Sequence, residues 1–332
     1  MVLPIALLCL LPLVLSGFAA AGWADHSRHG KTAGCGRDLP GGVELGKSIN
    51  VTIISDNIQR QFLLNVPITY NRDSPAGLIF SFHGRGGNST TQEVLTQFSN
   101  PEFNDKYLAV YPQGVDDQWQ GDPEATTDDV AFTLHMLEKL SDDFCLDEFR
   151  IFASGKSNGG GFSLSVLACD PVASTRIAAF AAAAGAYYQK NTTDVCDPET
   201  IPISCNAGRP GIPILEFHGG ADTTIPYAGG ARREECLPSV PHFITSWAER
   251  DGMSSRNRSV SIYDGNVTKY MFGRRRKETR LVTSYFIPTM DHVWPSTEPN
   301  PDSIAHNAPP TYFNATPIMM DFFGNNTLPW KF

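Results

Sequence analysis

Cationic residues are scarce in this chain of 332 residues, and that scarcity narrows the classes of partner it can bind. Lysine and arginine number 26 against 35 aspartates and glutamates, which gives a formal net charge of −9 at neutral pH. A chain with this balance lacks the basic surface that binds phosphate backbones. We therefore expect no nucleic-acid partner.

Long apolar runs are missing after residue 24, so no membrane span is expected in the mature chain. The one early run, Leu3 to Leu15, is too short to span a bilayer and is followed by small residues. This pattern is typical of a secretory signal peptide. We interpret residues 1–24 as that signal, cleaved between Ala20 and Asp25, and expect a secreted, extracellular protein without a membrane partner.

The chain has no Cys-x-x-Cys motif, and no histidine lies at ligand spacing beside a cysteine. This argues against a metal site, and we expect no metal and no organic cofactor. Removal of Cys9 with the signal leaves an even set of six cysteines, which favours three disulfides. Six cysteines allow 15 pairings, and the spacing does not choose among them. The six are Cys35, Cys145, Cys169, Cys196, Cys205 and Cys236.

Asparagine sequons of the form Asn-x-Ser/Thr are abundant, and their density is typical of a secreted glycoprotein. They begin at Asn50, Asn88, Asn191, Asn257, Asn266, Asn314 and Asn325.

Short apolar runs alternate with amphipathic stretches along the rest of the chain, which predicts an α/β fold with a mostly parallel sheet covered on both faces. Continuous apolar runs such as Gly77–His83 indicate strands buried on both sides. Two earlier runs, Val51–Ile54 and Gln61–Pro67, predict antiparallel strands at the sheet edge. With no internal repeat or long linker, residues 25–332 are predicted to form a single domain.

The segment from Glu148 to Leu164 predicts a strand (Arg150 to Ala153), a sharp turn and a helix that runs to about Cys169. At the turn, Gly155-Lys-Ser157-Asn-Gly159 fits the G-x-S-x-G nucleophile elbow. A Cβ at either glycine would clash in such a turn. An ordinary glycine-rich βα turn is the alternative, and the strand-then-helix context favours the elbow.

A serine nucleophile needs a histidine base and an orienting carboxylate, which follow in the order Ser, Asp, His in an α/β-hydrolase. Asp222 follows the predicted strand Ile214 to His218, and His292 follows the strand Thr283 to Ile287. Asp222 could instead cap a turn. Two other histidines, His83 and His218, end buried strands and are interpreted as hydrogen-bonded structural residues.

The oxyanion hole of such a site is expected to combine two backbone N–H groups. One is that of Asn158, directly after the nucleophile. The second is that of Arg85, in the glycine-rich loop His83-Gly-Arg-Gly-Gly87.

Six motifs in the expected order resemble the secreted fungal feruloyl esterases of types C and D, a carbohydrate-esterase group related to polyhydroxybutyrate depolymerases. The resemblance runs from about Cys35 to Phe323. The motifs are Phe82-His-Gly-Arg85, Tyr111-Pro-Gln-Gly114, Gln118-Trp-Gln-Gly-Asp-Pro123, Gly155-Lys-Ser-Asn-Gly-Gly160, Phe217-His-Gly-Gly-Ala-Asp-Thr-Thr-Ile-Pro-Tyr227 and Asp291-His-Val-Trp-Pro-Ser296.

The resemblance implies an α/β-hydrolase that cleaves hydroxycinnamoyl esters of plant cell-wall polysaccharides, here expected as a monomer. It supports Ser157 as nucleophile, Asp222 as orienter and His292 as base. Trp119 and Trp294 are candidate aromatic walls for a phenolic acyl group, with core packing as the alternative. Acetylxylan esterase or polyhydroxybutyrate depolymerase activity would use the same triad, and a catalytically inactive wall-binding relative is the alternative of another class.

Two departures from the family pattern concern the loops around the last strand. Asp291 stands where the family usually has glycine, and we expect it to stiffen or re-aim the His292 loop. The cationic run Arg274–Lys277 predicts a solvated loop, with a processing site as the alternative.

Overall fold

The computed structural model describes residues 30–190, 195–273 and 281–329. The predicted signal peptide, the sequon at Asn191 and the cationic run Arg274–Lys277 lie outside these residues. No helix in the described ranges has the length and apolar character needed to cross a membrane.

Ten strands of the described residues form one twisted sheet in the order β1-β2-β4-β3-β5-β6-β7-β12-β11-β10. The six central strands, β4 to β12 in that order, run parallel. Antiparallel pairs close the two ends. Their bounds are β1 (Ser48–Ser55), β2 (Ile58–Asn65), β3 (Ala76–Phe82), β4 (Tyr107–Pro112), β5 (Leu146–Lys156), β6 (Ala179–Ala183), β7 (Ile214–Gly219), β10 (Asn257–Ile262), β11 (Val267–Phe272) and β12 (Val282–Ile287).

A separate two-stranded hairpin, β8 with β9, and the helices complete the described fold. The hairpin and helices are β8 (Gly230–Arg232), β9 (Glu235–Leu237), α1 (Ser89–Thr96), α2 (Asp129–Asp143), α3 (Asn158–Gly161), α4 (Ala173–Arg176), α5 (Val240–Arg250), α6 (Pro301–Ala305) and α7 (Ala315–Gly324).

Strand β3 shows why the sheet is apolar on both sides. All seven of its residues are buried. Leu78 and Phe80 belong to one core cluster and Ile79 to a second, because successive side chains point to opposite faces. The predicted doubly covered, mostly parallel sheet is confirmed, as are the antiparallel strands at its first edge.

The helix after the elbow differs in detail from the prediction. It begins as α3, widens into a π-helical turn over Phe162–Val166, and ends as a 3-10 turn at Leu167–Cys169. The widening follows three consecutive glycines, Gly159 to Gly161, which have low helix propensity. A Cβ on Gly161 would lie 2.0 Å from the Ala186 carbonyl oxygen, so these glycines permit close packing at the cost of regularity.

Three disulfides cross-link the described chain, as predicted from the even number of cysteines. They join Cys35 to Cys145, Cys169 to Cys205 and Cys196 to Cys236. The last of these fastens the β8–β9 hairpin to the loop that follows β6, next to the carboxyl ends of the central strands.

Candidate active site

Ser157 lies on the sharp turn between β5 and α3. Its backbone has φ 55° and ψ −120°, a conformation that is strained for a residue with a Cβ. Three backbone hydrogen bonds hold it: the Ser157 N–H donates to the Ala183 carbonyl at 3.0 Å, and its carbonyl accepts from the N–H groups of Gly161 and Ala186. The turn therefore presents the side chain above the carboxyl end of the sheet.

The two glycines of the elbow are required by contacts with other backbone segments. A Cβ on Gly155 would lie 2.2 Å from the Gly159 carbonyl oxygen. One on Gly159 would lie 2.3 Å from the Phe82 oxygen and 2.5 Å from the His83 oxygen. All three distances are far inside van der Waals contact, so the elbow packs α3 directly against the end of β3.

The structure brings the three predicted side chains of the triad into one hydrogen-bonded chain. Ser157 Oγ lies 2.8 Å from His292 Nε2, and His292 Nδ1 lies 2.7 Å from Asp222 Oδ2. Asp222 Oδ1 accepts from the N–H groups of Thr224 and Ile225, which fixes the plane of the carboxylate. All three residues are buried.

Burial and nearby charges determine the pKa values of the hydrogen-bonded side chains. Burial, reinforced by the cation of Lys156, lowers the pKa of His292 to about 4, against the opposing effect of Asp222. Burial alone would raise the pKa of Asp222, but the hydrogen bond and charge of His292 outweigh it, and the pKa lies below its ordinary value. At neutral pH the arrangement is therefore a carboxylate, a neutral imidazole and a hydroxyl.

Arg85 and Asn158, whose N–H groups are the predicted oxyanion donors, line the same cavity as Ser157. Within the described residues, neither the Arg85 N–H nor the Asn158 N–H donates to a protein acceptor. The Asn158 side chain is tied to the backbone of Trp119 by bonds of 2.8 and 3.2 Å. The Arg85 guanidinium donates to Gln118, Asp122 and Glu124, so the side chain anchors the loop that carries its own N–H.

Trp119 and Trp294 do not line this cavity. Trp119 is fully buried, stacks on Phe162, and donates its indole N–H to the His83 carbonyl at 2.9 Å. Trp294 is 2% exposed and packs edge-on against Phe98. The core-packing alternative describes both side chains, and Trp119 also contacts the loop that carries Arg85 through its bond to the His83 carbonyl.

The cavity beside Ser157 has a volume of about 300 Å³, and Tyr188, Arg232, Arg233 and His306 are among the lining residues that no sequence motif indicated. Tyr188 and Arg232 are linked through the tyrosine hydroxyl at 3.2 Å, and Arg233 binds Glu124 at 2.6 Å. His306 lies with its ring 5.9 Å from that of His292. His306 directly follows the short helix α6.

Asp291 tightens the histidine loop. Its Oδ1 accepts from the His292 backbone N–H at 2.7 Å, and its Oδ2 lies 3.9 Å from His306 Nδ1. The carboxylate thus hydrogen-bonds the backbone directly before the His292 side chain, and whether it stiffens or re-aims the loop stays a prediction.

The two strand-end histidines have different partners. His83 Nδ1–H donates to the Gly84 carbonyl at 2.8 Å, and its Nε2 accepts from the Gly114 N–H at 3.0 Å. His218 contacts the carboxylate of Glu216 and the carbonyl of Ile225, both at 2.8 Å. Its Nε2 also lies 3.5 Å from Asp222 Oδ2, the oxygen that accepts from His292.

Sequence comparison with known proteins finds feruloyl esterases among the relatives of this chain. The chain is 30% identical over 248 residues to a probable feruloyl esterase C of Aspergillus flavus, a match that covers 72% of this chain and 80% of that protein. It is 27% identical to feruloyl esterase D of Neurospora crassa over 69% of this chain and 75% of the relative. The match to a probable feruloyl esterase C of Aspergillus niger is 29% identical and spans 53% of this chain and 60% of the relative.

Among solved structures, an acetyl xylan esterase from Aspergillus awamori superimposes with a TM-score of 0.58 at 13% identity. The alignment covers 83% of this chain and 99% of that one, which supports the fold. No family model matches the chain. The identity and coverage of the Aspergillus flavus match show that this chain belongs to the feruloyl esterase family.

Proposed function

We propose that this member of the feruloyl esterase family, a family of carboxylic ester hydrolases, cleaves hydroxycinnamoyl esters of plant cell-wall polysaccharides with Ser157 as nucleophile. The observation that carries the proposal is the continuous chain from Ser157 Oγ through His292 to Asp222, with both hydrogen bonds under 3 Å.

In the first half of the proposed reaction, Ser157 Oγ attacks the ester carbonyl while His292 Nε2 accepts its proton. The carbonyl oxygen becomes an oxyanion between the N–H groups of Arg85 and Asn158. His292, now an imidazolium beside Asp222, then protonates the leaving sugar oxygen, and the feruloyl group remains on Ser157.

In the second half, water replaces the sugar. His292 takes a proton from that water, the resulting hydroxide attacks the acyl carbon, and the proton passes to Ser157 Oγ as the ester bond breaks. Ferulic acid is released and the starting protonation state returns, so the cycle requires no external proton donor or cofactor.

Export and glycosylation are part of the same proposal. Cell-wall substrates are extracellular, and three disulfides suit an oxidising compartment. Five sequon asparagines of the described chain have exposed side chains, as an oligosaccharide requires: Asn50, Asn88, Asn257, Asn266 and Asn325. N-terminal sequencing of secreted protein and a mass shift on removal of N-glycans would test this; a retained residue 1–24 segment would contradict it.

The experiment for the activity compares wild type with Ser157→Ala on methyl ferulate, acetylated xylan and a hydroxybutyrate polymer. We expect turnover of methyl ferulate in the wild type to exceed that of the other two, and Ser157→Ala to lose it with an unchanged circular dichroism spectrum. Faster release of acetate would assign the acetylxylan activity instead. Retained turnover in Ser157→Ala would refute the nucleophile.

A further inference from the structure

Behind Asp222, the strand β7 carries two more ionisable side chains that the proposed reaction does not use. Glu216 and His218 are both 0% exposed. They are two residues apart on one strand, so their side chains share a face. His218 Nδ1 lies 2.8 Å from Glu216 Oε1.

The hydrogen bonds around His218 determine how many protons the pair holds. Its Nε2 lies 2.8 Å from the Ile225 carbonyl oxygen, which can only accept, so Nε2 carries a proton. The contact between Nδ1 and Oε1 also needs a proton, on one atom or the other. The pair therefore holds two protons and has no net charge, whether as imidazolium with carboxylate or as imidazole with carboxylic acid.

The surroundings favour the charged form. Burial alone would lower the pKa of His218, but Glu216 on one side and Asp222 on the other outweigh it and raise that pKa. Two phenols, Tyr187 and Tyr227, stand near Glu216, and burial together with its negative charge raises both of their pKa values, so they stay neutral. The positive end of the pair therefore faces Asp222.

Asp222 Oδ2 lies between two imidazoles. It accepts from His292 Nδ1 at 2.7 Å and lies 3.5 Å from His218 Nε2. A buried carboxylate is costly unless a charge or hydrogen bond compensates it, and during the reaction Asp222 must stay ionised to stabilise the His292 imidazolium.

We propose that Glu216 and His218 form a positioning pair for the reaction, which fixes Asp222 in its ionised, His292-facing state and limits how readily His292 takes up a proton before substrate attack. The inference rests on the proposed roles of Ser157, His292 and Asp222. It adds Glu216 and His218 to the three side chains of the proposed triad, and the link between His218 and Asp222 is an ion-pair contact of 3.5 Å.

Glu216→Gln removes the negative charge of Glu216 while keeping a side chain of nearly the same shape. The amide can still hydrogen-bond His218 Nδ1, but His218 then becomes a neutral imidazole with its proton on Nε2, and the positive charge beside Asp222 is lost. His292 then binds a proton more readily, because the cation that opposed its protonation is gone. We expect the acid limb of kcat/KM for methyl ferulate to move upward by about half a pH unit or more, with KM on the plateau within about twofold of wild type.

His218 variants test the imidazole that lies 3.5 Å from Asp222 Oδ2. His218→Leu removes this second imidazole from beside the carboxylate, and we expect kcat to fall about tenfold or more with little change in KM. His218→Gln offers an amide N–H in the same region and should recover part of kcat. A merely structural histidine would lower the melting temperature in both variants without this split between kcat and KM.

Asp251→Asn is the matched control. Asp251 is also a buried carboxylate paired with a cation, Arg250 at 2.6 Å, but it lies at the end of α5 away from the triad. Its neutralisation should change stability and leave the acid limb where it is in wild type.

The results that would refute the positioning pair differ from those that would refute the proposed esterase activity. Turnover in Ser157→Ala would refute the proposed function. An inactive Ser157→Ala together with a wild-type pH profile in Glu216→Gln would refute the positioning pair alone. If the variants do not fold, ¹⁵N NMR of the wild-type histidines at pH 7.5 decides: we expect both His218 ring nitrogens protonated, and a singly protonated ring would overturn the inference.

Discussion

The two sides of the cavity are positioned by different kinds of interaction. On the side of Ser157, the proposed nucleophile, the contacts are made by backbone groups: Ser157 is held by three main-chain hydrogen bonds, and both ring nitrogens of His83 are paired with main-chain atoms. Burial lowers the pKa of His83 to about 4, so it is uncharged at neutral pH. On the side of His292, the proposed base, side-chain contacts are added to the backbone bonds: Asp222 Oδ2 contacts the imidazoles of both His292 and His218.

Because of this difference, we expect substitutions on the two sides to reduce activity by different mechanisms. A substitution on the nucleophile side acts through steric displacement of the backbone, whereas one on the base side acts through charge and protonation. The following variants are chosen to separate these modes.

Asp222→Asn should give the largest effect. The amide cannot hold His292 in the tautomer that accepts a proton at Nε2, and the imidazolium loses its counter-charge, so kcat should fall by about 10⁴-fold. Steady-state kinetics on methyl ferulate measures this, with circular dichroism as the control for folding. A loss below tenfold would contradict the assignment of Asp222 as orienter.

Gly159→Ala tests the steric side. The added Cβ meets the carbonyl oxygens of Phe82 and His83, so α3 and the Asn158 N–H must shift. A displacement on the order of 1 Å costs about 100-fold in rate, and we expect a lower melting temperature as well. Gly41→Ala is the control, because a Cβ there has nothing within 4 Å. Wild-type kinetics in Gly159→Ala would show that the elbow can relax.

Arg85→Ala should have a smaller effect, because the backbone N–H remains and only its anchor is removed. The contacts to Gln118, Asp122 and Glu124 are lost, and we expect kcat to fall about tenfold through a looser oxyanion loop. Arg72→Ala, which removes an exposed pairing with Asp38, serves as control. Equal kcat values for the two variants would show that the Arg85 side chain does not contribute to catalysis.

The smallest predicted effect concerns pH. Because the pKa of His292 is lowered to about 4, wild-type kcat/KM should hold down to nearly that pH, below the 6.5 of an ordinary imidazole. Lys156→Met removes a cation that opposes protonation of His292, so that pKa rises. The loss of kcat/KM should be greater at pH 5 than at pH 8, and an equal loss at both would refute this role of Lys156.

Much of the central sheet could be predicted, because its strands are continuous apolar runs bounded by turn residues. The strands β10 and β11 could not, since β10 has no buried residue and therefore no alternating apolar signal. The hairpin β8–β9 has strands of three residues, too short for any periodicity to register.

Within the site, the chain order of Ser157, Asp222 and His292 pointed to three side chains that the fold brings together. Trp119 and Trp294 lie within the family motifs, but a motif does not show which way a side chain points. Both were candidates for substrate walls, and both are buried in the core. His306 and Arg232 carried no signal, because cavity walls are assembled from loops distant in sequence.

The disulfide between Cys196 and Cys236 has a consequence for one wall of the cavity. The hairpin it fastens carries Arg232 and Arg233 to that wall, and each of its strands is three residues long. The covalent bond, together with the packing of Leu237 against Ala186 and Ile225, determines where the wall stands. The turn between Arg232 and Glu235 lies outside these anchors, so insertions or deletions there would reshape the wall while Ser157, Asp222 and His292 keep their positions.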